Sequence, residues 1–118
     1  MLGTYPSEGK LVAYGTLADT PARLLLDELL AGSDLTVELG ESAGVDDSDF
    51  QAFCDRGIPY VYFETWDEEC YHQPCDDIDK LDYPSMSAVS ALLADLVIGL
   101  ADGDGDLVAA RGRAPCPL

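Results

Sequence analysis

The chain has 118 residues and a mass of 12.6 kDa, enough for one domain with a core and too little for two. Hydrophobic residues are 47% and mean hydropathy is +0.03, which excludes disorder as a description of the whole chain. Six Lys and Arg oppose 23 Asp and Glu, a net charge of −17 that excludes nucleic acid and anionic membranes, whose phosphates need clustered cations, and permits cationic ligands and divalent metals.

Leu11-Val12-Ala13-Tyr14 is a short apolar run ended by Gly15 and predicts a strand. Thr20-Pro21 predicts a helix start, with Thr as the capping acceptor and Pro at the first helical position, where its missing N–H costs nothing. Leu24, Leu25, Leu26 and Leu29 form that helix's apolar side, and Gly32 stands where a left-handed C-terminal cap belongs. Leu35 to Leu39 alternates apolar and polar, as a half-buried strand does. Glu41 to Asp47 is an acidic loop. Ser48-x-x-Gln51 is a capping-box pattern opening a short helix, with Phe50 and Phe53 on one face and Gly57 as its stop. Ile58 to Phe63 is apolar almost throughout and predicts a strand buried on both faces inside a sheet, with Pro59 at its start. Glu64 to Asp82 is a long irregular segment holding Trp66, the single His and two of the four Cys, and segments of that kind carry function. Pro84 begins a long helix. Met86, Val89, Leu92, Leu93, Leu96, Val97 and Leu100 give it a helical apolar period, and Gly103 ends it. The order predicts an α/β fold with helices covering a sheet, a domain over residues 1–103 and a flexible tail over residues 104–118.

No apolar run reaches the roughly 18 residues of a membrane span. No cationic n-region opens the chain, so no signal peptide is visible. Cys54, Cys70, Cys75 and Cys116 in a Lys-poor acidic chain nonetheless point to an oxidising compartment. The expected location is extracytoplasmic or secreted, with the true N-terminus upstream.

Two segments are candidate sites. Asp102-Gly103-Asp104-Gly105-Asp106 has the opening of a calcium loop, but Leu107 and Arg113 stand where Gly and Glu are required, so it reads as a polar helix exit. Cys70-Tyr71-His72-Gln73-Pro74-Cys75 admits three readings on spacing alone: two thiolates and an imidazole holding zinc, a disulfide hoop fixing the His, or an unrelated surface His.

Ser48-Asp49-Phe50-Gln51-Ala52-Phe53, Arg56-Gly57-Ile58-Pro59, Tyr71-His72-Gln73-Pro74-x-Asp76 and Asp79-Lys80-Leu81-Asp82 together resemble the co-catalytic zinc exopeptidases, the secreted bacterial aminopeptidases related to glutamate carboxypeptidase and glutaminyl cyclase. The motifs follow the family's order over about Ser48 to Leu100. The resemblance implies the C-terminal part of a three-layer α/β domain with a mixed sheet covered by helices. It implies that His72 is the last zinc ligand, that Tyr71 hydrogen-bonds the oxyanion, and that Cys70 and Cys75 form a disulfide, as in some secreted relatives. Asp76 is expected to orient the loop or His72 from behind the metal ligand. Phe50, Phe53 and Trp66 are expected to pack or to wall a pocket.

The family's site takes two zinc ions, with one further His, a bridging Asp, a Glu, an Asp and a Glu general base from the preceding half. This chain has no other His, and Met1-Leu2-Gly3 resembles the family's Asp-bearing stretch cut just after that Asp. The remaining ligands are therefore expected upstream, and the missing N-terminal half of the domain is the expected partner. The complete enzyme would hydrolyse the terminal bond of a peptide substrate, with a zinc-activated water as nucleophile, and the isolated chain would be inactive. Where some relatives carry a substrate-placing Arg, this chain has Asp47; the acidic pair Asp46-Asp47 reads as a solvated loop. A glutaminyl-cyclase-like acyltransferase and a non-catalytic remnant are the alternatives.

Overall fold

The computed structural model describes residues 11–41, 48–65 and 70–111. Met1 to Gly3, Asp46, Asp47, Trp66 and Cys116 lie outside the described residues. The architecture is mixed α/β. β1 (Leu11–Tyr14) lies between β2 (Val37–Gly40) and β3 (Tyr62–Thr65), parallel to β2 and antiparallel to β3.

The helix α1 (Pro21–Ala31) connects the parallel pair and starts as its sequence dictates. The Thr20 hydroxyl oxygen accepts the Arg23 N–H at 3.3 Å, and Pro21 follows at the first helical position. The apolar side is rotated from the expected one. Leu26 is fully buried and Leu25, Leu29 and Leu30 pack on the core, whereas Leu24 is 58% exposed. Gly32 follows the last helical residue with φ −102°, not left-handed, and its N–H reaches the Leu29 carbonyl at 3.3 Å.

The long helix α3 (Tyr83–Asp102) is capped by Asp82, whose carboxylate accepts the Ser85 N–H at 3.0 Å. Its buried row is Val89, Leu92 and Leu96, and it packs along α1. Val97 and Ile98 are exposed, so the expected stripe narrows. By length and composition α3 is apolar enough to cross a membrane, contrary to the expectation from apolar runs alone. The core joins Ala13 of β1 to Leu26, Leu92 and Leu96, with Val37, Leu39 and Phe63 of the flanking strands against it. Residues alternate across a strand, so Val12, Tyr14, Tyr62 and Glu64 occupy the opposite face. There Phe50 of α2 (Phe50–Cys54) lies 4.9 Å from the Tyr62 ring and 5.0 Å from the Tyr60 ring. Helices therefore stand on both faces of the sheet.

Further expectations need correction. The capping box does not form: Asp49 has helical angles, no side chain caps α2, and the Gln51 amide is turned towards Asp55, at 2.6 Å. Phe50 is buried, but Phe53 is 49% exposed. The expected strand over Ile58 to Phe63 begins four residues late, at Tyr62. Gly57, at φ +69°, closes α2 by donating its N–H to the Cys54 carbonyl, and the Ile58 N–H is then drawn back to the Phe53 carbonyl. Ile58 and Pro59 thus belong to the exit from the helix, and Ile58 is exposed. In the segment expected to be a tail, Leu107–Arg111 forms a short helix, α4, whose start is capped by Asp106 accepting the Ala109 N–H at 2.9 Å.

Candidate functional site

The strand β3 sets the position of the Tyr-His segment. Its last residue, Thr65, pairs with Leu11, so the chain leaves the sheet beside the beginning of β1. It then reaches Cys70, which is 1% exposed, and the six residues to Cys75 close into a hoop through the Cys70–Cys75 disulfide, with Cα atoms 5.3 Å apart. The thiolate-zinc reading of these cysteines is thereby excluded. Cys54 is disulfide-bonded as well.

Two consecutive turns shape the hoop. The Gln73 N–H donates to the Cys70 carbonyl at 2.9 Å, which places Tyr71 and His72 at the two corners of a four-residue turn. His72 has φ +57°, the left-handed conformation that the second corner of a type II turn demands and that Gly or Asn would satisfy more cheaply. The Asp76 N–H then donates to the Gln73 carbonyl at 3.0 Å, with Pro74 at the first corner, where its fixed φ fits. The unusual backbone at His72 is thus held by the bridge and by both turns.

The outcome is a pair of exposed rings on a closed loop. Tyr71 is 53% exposed and stacks on His72 with ring centroids 3.9 Å apart and planes 20° from parallel. The structure thus brings Tyr71, His72, Cys70 and Cys75 together. Asp76 is half-buried and contributes its backbone N–H to the second turn. Beyond the hoop a 3₁₀ turn (Ile78–Lys80), capped by the Asp77 carboxylate, leads to α3.

The donor set sets a limit on metal chemistry. Among the described residues no group of three or more His, Cys, Asp or Glu could hold a metal ion. Tight zinc sites take three or four protein ligands, so the described residues do not form a zinc centre, and His72 offers a single imidazole.

Glu64 escaped the sequence reading, which assigned it to a loop. It lies on β3, is 8% exposed, and its Oε2 accepts the Tyr62 hydroxyl at 3.2 Å. Its other oxygen, Oε1, is buried without a partner. The alternation Tyr62-x-Glu64 was the available signal, since both residues face the same side of a strand.

These features define an α/β domain that presents a Tyr-His pair on a disulfide-closed loop at one end of its sheet. The model of peptidase family M28 matches residues 4–97, and the chain belongs to this family, whose members are typically zinc-dependent peptidases. No curated protein and no solved structure matches it.

Proposed function

We propose that this chain supplies the oxyanion donor and one metal ligand of a secreted zinc aminopeptidase. In this reading the remaining ligands of two zinc ions and the general base come from preceding sequence, and residues 1–118 alone are inactive. The observation that carries the proposal is the turn at Cys70–Cys75, which sets Tyr71 and His72 side by side and exposed. A phenol held beside a metal ligand can donate to a developing oxyanion, and a donor of that kind acts only along the reaction path. Asp76 holds the loop's second turn through its backbone N–H, which suits a positioning role. The family membership supports a peptide substrate. The described disulfide and the acidic surface, net charge −17, support an extracytoplasmic setting.

The test compares Tyr71→Phe with His72→Ala in the complete peptidase. Tyr71→Phe should lower kcat about 100- to 1,000-fold with little change in KM and with bound zinc retained. His72→Ala should lose zinc and activity together. An unchanged kcat for Tyr71→Phe would remove Tyr71 from the catalytic list, and full zinc content in His72→Ala would remove His72 from the ligands.

A further inference from the structure

The strand register separates two ends of the sheet. The Tyr71–His72 hoop lies beyond Thr65, next to the start of β1, whereas Gly15, Glu41 and the Pro59–Val61 segment mark the other end, beyond the carboxyl ends of the parallel strands β1 and β2. A hollow of 120 Å³ opens there, walled by Leu17, Pro21, Val61, Leu100 and Leu107. Its volume approaches that of the engineered apolar cavity of about 150 Å³ that takes up benzene in another protein.

Backbone constraints build this hollow. Gly15 has φ +81°, and a Cβ there would stand 2.3 Å from the Tyr60 carbonyl oxygen, so only glycine lets β1 turn beneath that segment. At Gly105 a Cβ would meet Pro21 Cγ at 3.4 Å, so the chain before α4 runs close against the start of α1 and brings Leu107 over the opening. The hydroxyl of Thr20 in the wall is occupied: it donates to the Leu17 carbonyl at 2.7 Å and accepts the Arg23 N–H while capping α1. Among the described lining residues the single charge is the exposed carboxylate of Glu41.

We propose that this hollow binds a small primary amine with an apolar body, a single ring or a branched alkyl group. The walls remove the body from water. Glu41 at the rim, on a chain of net charge −17, favours the ammonium head and repels carboxylates. The residues that line the hollow and those of the Tyr71–His72 hoop do not overlap.

The test titrates the full chain, observed by ¹H–¹⁵N NMR, with benzylamine, benzyl alcohol and benzoate. Benzylamine should give saturable shifts at the amides of Leu17, Ala22, Val61 and Leu107. Benzyl alcohol should bind about two- to fivefold more weakly, the range of one exposed charge contact, and benzoate more weakly still. Ala22→Leu, which fills the hollow, should abolish the saturable shifts. Glu41→Gln, at an exposed position that folding tolerates, should bring the benzylamine affinity down to that of benzyl alcohol. Benzoate binding as tightly as benzylamine, saturation that survives in folded Ala22→Leu, or an amine affinity unmoved by Glu41→Gln would each overturn the proposal.

Discussion

Opening the Cys70–Cys75 bridge tests how the hoop is held, and its magnitude follows from the loop's length. The two cysteines are five positions apart. Closing so short a loop removes about 7 cal/mol/K of entropy from the unfolded chain, about 2 kcal/mol at 25 °C. The native turn also holds His72 at φ +57°, which costs a residue with a Cβ about 1 kcal/mol. Without the bridge the turn can relax and recover part of that cost. The double variant Cys70→Ala/Cys75→Ala should therefore lose about 1–2 kcal/mol rather than the full closure term. Alanine is the right replacement, because Cys70 is 1% exposed and a serine there would bury a hydroxyl. With a urea slope of about 1.5 kcal/mol/M, a usual value for a chain of this size, the unfolding midpoint should fall by about 1 M. Equilibrium urea unfolding followed by circular dichroism reads that shift. A midpoint that stays put or rises would show that the bridge does not restrain the unfolded chain as argued. A loss above about 4 kcal/mol would show that it holds far more of the structure than its own hoop.

Gly15→Ala should destabilise by about 1–3 kcal/mol, because it forces a side chain into a left-handed turn 2.3 Å from the Tyr60 carbonyl; thermal unfolding measures it, and a neutral result would contradict the turn geometry. Leu26→Ala, at a fully buried position facing α3, should cost about 2–5 kcal/mol in the same assay, whereas Leu24→Ala, 58% exposed, should cost under about 1 kcal/mol. Asp82→Ala removes the carboxylate that accepts the Ser85 N–H at 3.0 Å and should cost about 1 kcal/mol, with Asp82→Asn recovering most of it.

What the sequence by itself determined is local. Thr20-Pro21 carries its helix start because a side-chain acceptor and a proline act within a few residues, and Pro84 marks the start of α3, to which the structure adds the Asp82 cap. Leu11 to Tyr14 reads as a strand for the same short-range reason, and the motifs from Ser48 to Asp82 carry the family, which the match over residues 4–97 bears out. The tertiary structure decided which faces these elements present. It buried Leu26 and left Leu24 and Val97 in solvent, since a helix apolar on several sides has no preferred side until α1 meets α3. It moved β3 to Tyr62–Thr65 through the left-handed closure at Gly57 and pairing with β1, and that register buried Glu64, which by composition alone belongs on a surface. It also removed the thiolate-zinc reading from the three that spacing left open for Cys70 to Cys75, by closing the bridge, and it turned His72 left-handed against Tyr71. A left-handed histidine has no signature in sequence, because its cost is met by a disulfide and two turn hydrogen bonds that exist only once the chain has folded back on itself.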